Sequence, residues 1–588
     1  MSGTAGPLGH PDGDIPAPPS LTLPPDVVGE VKGEVQGDFQ ADAPRSVAPR
    51  IAVAAALIML GNVVSRLLGL VRNQTIGALY GVSADADIFN AANRVPTMVY
   101  DLLIGGAISA ALIPVFSEYA GRDERRREAA RRGGPTPRSS GAPAGRKAGE
   151  LEALAGTVIG LALAVLVPAV ALLIVCADPL MSLLGVGFAP DVRAQGIFLV
   201  RLALPAVVLQ GVSAVLMGVL YALHRVSLPS YAAAVFNVAI IVCAVLLSPW
   251  LGVTSLVVGV LVGAGAQVLL QLPGLRGLRL RPTLDLAHPG VRRIVRLYAP
   301  VAAGLLVSAA VVALDTRLAS QTGRGSLAAM GFATNLVQFP LGLVATALSF
   351  ASLPVLARYG ASGVRSAEFQ RTLGRGIKAA LLLIVPATVA LVMLRVPIVR
   401  LLYQRGAFGE DGVELTSLAL LFYAPQLPFV AVDQLLIAAF YALQNTRLPV
   451  LVGVVGAGVY AAVALLTVES LGMAGLVLAN TVQNSAHAVI LLVALWRAMG
   501  SLRPLRLGGA ALRVVTAGLL MAGTLAVGAA AAPSPTGALE LLVYLMVGGG
   551  VAGLVYVGAL AGMRSEELAY CRALLRGRLG RPAGAVRS

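Results

Sequence analysis

The sequence predicts an all-α polytopic membrane protein with about fourteen transmembrane helices: two six-helix lobes related by a parallel pseudo-two-fold repeat, plus two C-terminal helices. Three observations predict it. The 588-residue chain is 57% hydrophobic and only 13% charged, whereas soluble domains are about a quarter charged. Its apolar stretches recur at the roughly 20-residue length that crosses a hydrocarbon core. Short motifs return in the same order some 220 residues further on.

The composition also excludes several classes. Aromatic residues are few (5%) and Ala, Val, Leu and Gly dominate, which suits helices rather than a barrel of alternating strands with aromatic girdles. Cys176, Cys243 and Cys571 are isolated and form no disulfide framework, CxxC or zinc spacing. The histidines His10, His224, His288 and His487 are scattered, so no metal and no cofactor is expected. The net charge of +16 reads as basic cytoplasmic loops beside a lipid bilayer, not as nucleic-acid binding. No GxxxxGK[ST] motif is present, so ATP is not expected to drive the protein.

Taken in order, residues 1–50 are rich in Pro, Gly and Asp without an apolar run, and read as a disordered cytoplasmic tail rather than a signal peptide. Spans are expected at 51–71, 88–118, 152–176, 195–219, 228–249, 252–273, 297–319, 327–355, 377–396, 414–442, 448–468, 472–496, 513–532 and 539–562. The second, eighth and tenth are long and contain Gly or Pro, so bends are expected there. Each strongly basic segment follows an even-numbered span: GRDERRREAARRGGPTPRSSGAPAGRK, LRGLRLRPTLDLAHPGVRRIVR, ARYGASGVRSAEFQRTLGRGIK, WRAMGSLRPLRLGGAALR and the terminal CRALLRGRLGRPAGAVRS. Loops after odd-numbered spans are short or carry acids such as Asp178, Asp191, Glu410, Asp411 and Glu469. The positive-inside rule then puts both termini in the cytoplasm.

The repeat rests on three matches. YALHRVSLP at 221–229 returns as YALQNTRLP at 441–449; PLMSLLGVGF at 179 resembles PIVRLLYQRGAF at 397; ALIPVFSEYA at 111 resembles ASLPVLARYG at 351. The offset changes because Pro114 and Pro179 are 65 residues apart while Pro354 and Pro397 are 43 apart, and the Arg-rich loop accounts for the difference. The expected domains are therefore an N-lobe at 51–273, a basic linker at 274–296, a C-lobe at 297–496, an appended pair at 513–562 and a basic tail at 563–588. An even number of spans per copy makes the copies parallel, and such bundles enclose a central site.

Ionisable residues inside a span face a bundle interior or water. The candidates are Arg66, Arg72, Asp87, Arg94, Asp101, Asp315, Arg317 and Asp433. Each also has a plain reading: Arg72 and Arg94 stand near span ends and can snorkel, and the acids can form structural interhelical pairs. Arg66 is deeper. Six residues separate it from Arg72, which on a straight helix is about 120° of rotation; a wide cavity receives both, a narrow channel does not. Asp315 and Arg317 are two apart and cannot pair on one helix. Asp433, in PFVAVDQLLIAAF, has no local partner. Either acid is a candidate for a coupling H+ or Na+. A guanidinium forks onto two phosphate oxygens, so cavity arginines suit a pyrophosphate.

SRLLGLVRNQTIGALYGVSADADIFNAANRVPTMVYDLLIGGAISAALIPVFSEYA, with its SRxLGxxR, xDxFxxAxRxP and GGAxSxAxxP patterns, resembles the first two spans of the MurJ (MviN) lipid II flippases. ATNLVQFPLGLVATALSFASLPVLARY resembles that family's eighth span, and FYALQNTRLPV the connection from its tenth to its eleventh. The likeness covers about residues 50–500. It implies a two-lobed transporter of the multidrug/oligosaccharidyl-lipid/polysaccharide exporter superfamily in the bacterial cytoplasmic membrane. Its cargo would be undecaprenyl-pyrophosphate-linked peptidoglycan precursor, moved to the outer leaflet for cell-wall synthesis. Arg66 and Arg72 match the family's first-span arginines, Asp87 its acid early in the second span, and Arg94 a nearby basic position. Tyr100 and Asn335 stand where the family has arginines. Asp315 matches an acid of the family's proposed sodium site, while VLVGVVGAGVYAAVALL shows none of the polar partners that site expects in the eleventh span.

Four alternatives stay open: a flippase for another polyprenyl-linked glycan or a weakly active paralogue, which Tyr100 and Asn335 favour; a drug/cation antiporter of the superfamily, which would rely on acids; a membrane glycan transferase, which needs larger external loops; and a scaffold for cell-wall synthesis proteins. Without ATP, an ion gradient or the membrane potential is the expected drive, at about 2.3 kcal/mol per charge per 100 mV.

Overall fold

The computed structural model describes residues 47–102, 111–132, 149–532, 535–565 and 568. Most of both expected tails, Cys571, residues 103–110 of the expected second span and residues 133–148 of the Arg-rich loop lie outside the described residues. Leu57–Ser588 form one compact unit, to which everything below belongs; Met1–Ala56 form another, which contributes the start of the first helix.

Among the described residues every regular element is helical. The long elements are α1 (Val47–Tyr80), α2 (Ala84–Tyr100), α3 (Ile113–Arg131), α4 (Glu150–Val175), α5 (Pro190–Ala222), α6 (Ala232–Leu251), α7 (Thr254–Leu275), α8 (Pro289–Ala319), α9 (Ser326–Gly360), α10 (Ala367–Met393), α11 (Glu410–Ala442), α12 (Arg447–Leu471), α13 (Met473–Met499), α14 (Leu507–Ala531) and α15 (Ala538–Gly562). Among the described residues twelve helices are long and apolar enough to cross a membrane, and they correspond in order to the third to fourteenth expected spans. The first expected span falls on α1, and the second on α2 and α3. Leu466, Trp250, Leu554 and Leu519 project from the outer faces. Exposed apolar surface on this scale is at rest only in hydrocarbon.

Two boundaries differ from the sequence reading. The start of the Arg-rich stretch is not a loop: α3 continues to Arg131, held by the Glu118–Arg122 pair at i, i+4 (2.6 Å). The linker turns helical at Pro289, where His288 Nδ1 accepts from the Gly290 N–H (3.0 Å) and Pro occupies the first helical position. Of the three spans expected to bend, the eighth and tenth are irregular at their prolines, and the middle of the second lies outside the described residues. α9 passes Pro340 and then widens into a π segment at Leu341–Ala345, and α11 tightens into a 3₁₀ turn at Ala424–Gln426. Proline removes a ladder N–H, so the neighbouring carbonyls are released for other partners.

The repeat reappears as backbone geometry. His224 and Gln444 both adopt left-handed φ, 57° and 58°, at the ends of α5 and α11. In each turn an N–H closes back on the helix: Arg225 N to Leu220 O, and Asn445 N to Phe440 O, both 2.9 Å. This is the Schellman closure of a helix terminus, twice, 220 residues apart. Gly252 and Gly472 (φ 52° and 55°) then turn α6 into α7 and α12 into α13, and each helix of these pairs packs along its partner.

Candidate functional site

α1 presents its two arginines to different neighbours. Arg66 reaches α9, where a guanidinium N–H donates to the Gln338 carbonyl oxygen at 3.2 Å. Its planar head lies against Gly342, in the space a side chain there would fill. The missing Cβ of Gly342 opens the landing site, and the Gln338 carbonyl also takes the Leu341 N–H where α9 turns irregular after Pro340. Arg72 turns instead toward α6: Nη1 donates to Asn237 Oδ1 (3.1 Å), while Nε and Nη2 share Asn73 Oδ1 (3.4 and 3.3 Å). Asn237 also donates to the Ser65 carbonyl (3.2 Å), binding α6 to α1. The angular separation read from the sequence thus sorts the pair. Arg66 is exposed at a cavity and Arg72 is half-buried in a seam.

That cavity measures about 510 Å³ and lies among α1, α9, α10 and the short helix Arg395–Tyr403. Arg66, Asn73, Asn335 and Gln338 supply its polar atoms, and Leu70, Phe339, Leu391 and Leu402 much of its apolar wall. A mostly apolar chamber with a guanidinium at its edge offers both halves of what an amphiphilic anion requires.

At one end of the bundle, elements of the two repeat copies are fastened together. Asp87, buried on α2, accepts from the backbone N–H groups of Gly325 and Ala328 (2.5 and 2.8 Å) and so caps the start of α9. Beside it the Ala407 N–H donates to the Ala78 carbonyl (2.8 Å), and Gly187 N–H donates to the Ser320 hydroxyl (3.2 Å). Gly81 and Gly406, both at positive φ, allow this approach, because a Cβ on either would collide with the facing backbone.

Polar side chains also line the interior of the second copy. Asp315 on α8 accepts from the Tyr460 hydroxyl on α12 at 2.5 Å, and the Arg94 guanidinium acts on the same carboxylate electrostatically. Asp433 on α11 pairs with His487 Nδ1 on α13 at 2.7 Å. Between these, the Thr481 hydroxyl donates to the Phe422 carbonyl (2.6 Å) and the Asn484 amide to Gln426 Oε1 (2.7 Å). A polar seam therefore runs between α11 and α13.

The predicted residues separate into groups. Arg66 and Asn335 share the cavity, although the Asn335 amide donates to the Gly331 carbonyl of its own helix (2.8 Å). Arg72 stands apart from its lining. Asp87 serves as a cap. Arg94 acts on Asp315 electrostatically, Tyr100 packs half-buried on the main core, and Arg317 sits near the end of α8, where its carbonyl accepts from Ser320. One expectation is corrected: the eleventh span does offer Asp315 a polar partner, Tyr460. Asp433 has no local partner and pairs across helices with His487, the plain reading of that acid. A tyrosine and a histidine within apolar runs read as core, so neither partner stood out. Among the described residues no group of three His, Cys, Asp or Glu could hold a metal ion.

A family model described as lipid II flippase MurJ matches residues 76–547. The probable lipid II flippase MurJ of Haemophilus influenzae is 30% identical over 67% of this chain and 76% of its own length. The lipid II flippase MurJ of Burkholderia cenocepacia is 29% identical over 78% and 87%. Among solved structures, lipid II flippase MurJ in an inward closed conformation matches with a TM-score of 0.69 and 20% identity, covering 90% of this chain and all of that one. An inward-facing multidrug resistance MATE family transporter matches at 0.61 and 15%, covering 75% and 95%. At these identities the structural likeness speaks to fold alone.

Proposed function

We propose, from the premise that this chain belongs to the MurJ lipid II flippase family, that it moves undecaprenyl-pyrophosphate-linked peptidoglycan precursor from the inner to the outer leaflet. It would do so in the bacterial cytoplasmic membrane by alternating access. The observation that carries this is Arg66 at the edge of an apolar cavity of about 510 Å³. The guanidinium would take the pyrophosphate and leave the Gln338 carbonyl, and apolar walls would take the start of the polyprenyl chain. The α1–α7 and α8–α13 repeat copies would be the moving lobes, with α14 and α15 appended and both termini cytoplasmic. With that orientation the Asp87 fastening would lie outside, and the conformation described would be closed to the exterior. Arg72, Arg94 and Tyr100 would meet the headgroup after rearrangement. The membrane potential would favour export of an anionic headgroup.

The test is complementation of a strain depleted of its own flippase. The wild-type chain should restore growth. Arg66→Ala should lower transport at least about tenfold, the loss of one charge-assisted contact, with Arg66→Lys intermediate. Normal membrane expression without rescue would overturn the assignment. A second reading, another polyprenyl-linked glycan as cargo, is favoured by Asn335 standing in the cavity wall where the family resemblance expects an arginine. It predicts Arg66-dependent transport without rescue.

A further inference from the structure

Resting on the transporter reading, we propose that Asp433 and His487 form a proton-binding site whose occupancy sets the packing of α11, α12 and α13 and thereby couples proton movement to the transport cycle. The argument begins with what each ring nitrogen faces. His487 Nδ1 lies 2.7 Å from Asp433 Oδ1, and Nε2 lies 3.4 Å from the Pro449 carbonyl oxygen at the start of α12. A carboxylate and a carbonyl are both acceptors, but a neutral imidazole has one N–H to give. With one proton on the pair, either Nε2 turns a lone pair on the carbonyl or Nδ1 turns one on the carboxylate. With a second proton both contacts are hydrogen bonds, whether that proton is assigned to the ring or to the carboxyl. The step is simple protonation. The pair passes from net charge −1 to net neutral, and an unpaired charge is the costly state inside a membrane.

The repeat supplies an independent check. At the fixed offset of 220, Asp433 falls on Ser213 and His487 on Gln267. Gln267 Nε2 donates to the Ala232 carbonyl at the start of α6 (3.3 Å), and Ser213 accepts from Gln271 (2.6 Å). The first copy thus holds a permanent donor to the start of the preceding helix. In the second copy the corresponding tie reaches a carbonyl three positions earlier in the repeat, Pro449, and depends on a proton. Among the titratable groups on the packed elements, only Asp433 acts on His487. Tyr460 is engaged by Asp315, Arg447 and Arg497 lie near the start of α12 and the end of α13, Tyr441 is exposed at the end of α11, and Lys378 lies on α10. Both members of the pair keep some accessible surface, 15% and 16%.

The test uses the full-length chain in nanodiscs with a spin-label pair at Val186 and Gln321, beside the Gly187–Ser320 contact. The open fraction should change at least about fivefold between about pH 5.5 and about pH 8.5. His487→Gln, which supplies the permanent donor of the first copy, should flatten the profile, as should Asp433→Asn. His224→Gln, on an exposed turn, should leave it unchanged. A flat wild-type profile, or a wild-type-like profile in His487→Gln, overturns the proposal. Because the wild-type measurement alone is decisive, misfolding of one variant does not protect it. Rescue of growth with a flat profile would sink only the coupling. A pH-dependent profile without rescue would sink only the cargo assignment.

Discussion

The two halves marked by the repeated motifs share turn geometry at His224 and Gln444 and at Gly252 and Gly472, and differ in what they fasten with. In the first, α6 and α7 pack through glycines: a Cβ at Gly259 would stand 2.8 Å from the Ile240 Cα, and one at Gly263 2.8 Å from the Phe236 ring. In the second, the matching positions are Ala479 and Gln483. The contact of α13 with α11 is a seam of amides, a carboxylate and an imidazole, where the matching contact of α7 with α5 carries one amide–hydroxyl bond, Gln271 to Ser213. A dry seam of small residues holds one geometry because any added atom is felt. A polar seam has alternative hydrogen-bonding states. The comparison teaches that similar turns can frame seams of different chemistry: permanent donors in the first copy, an ionisable pair in the second.

Three sets of substitutions, five in all, sharpen or break this contrast. The largest effect is expected from Asp87→Ala, which leaves the Gly325 and Ala328 N–H groups without their buried acceptor. The loss should be about 2–3 kcal/mol, read as a lower thermal midpoint and a shift of the Val186–Gln321 label distance to longer values. An unchanged distance would show that the fastening does not depend on the cap. Next, Gly263→Leu should destabilise by about 1–3 kcal/mol through overpacking, whereas Gln483→Leu at the matched position should cost less than half as much in thermal midpoint. Equal losses would erase the distinction between the dry and polar seams. The smallest effect is the most symmetric. His224→Gly and Gln444→Gly each relieve a left-handed side chain, and should raise stability by about 0.5–1 kcal/mol to the same extent in both copies. Effects of opposite sign would mean that the two turns are not equivalent.

Much of this frame was legible in the sequence. Apolar length located the spans, and the YAL–LP motif located the turns whose backbones now coincide. Arg66 was legible as a deep guanidinium, but its partners were not. Gln338 and Gly342 act through a carbonyl and a missing Cβ, and neither has a side-chain signature. The acids Asp315 and Asp433 stood out, while their partners, 145 and 54 residues away, read as ordinary core. Their signal was present in the register: extending the 220 offset past the turn sets Gln267 against His487 and Ser213 against Asp433. Asp87 was legible as an intramembrane acid, but its use as a cap depends on where α9 begins, which local sequence does not fix.

The widened turn at Leu341–Ala345 has a mechanical consequence. A π segment carries one surplus residue, and each residue of an α-helix accounts for about 100° of rotation. Were the surplus to migrate past Thr346, the intervening face of α9 would swivel by about that angle while both helix ends stayed anchored. Gly342 would then leave the Arg66 head and a different side chain would come to face it, so the chamber could exchange its wall without any helix crossing the bilayer anew.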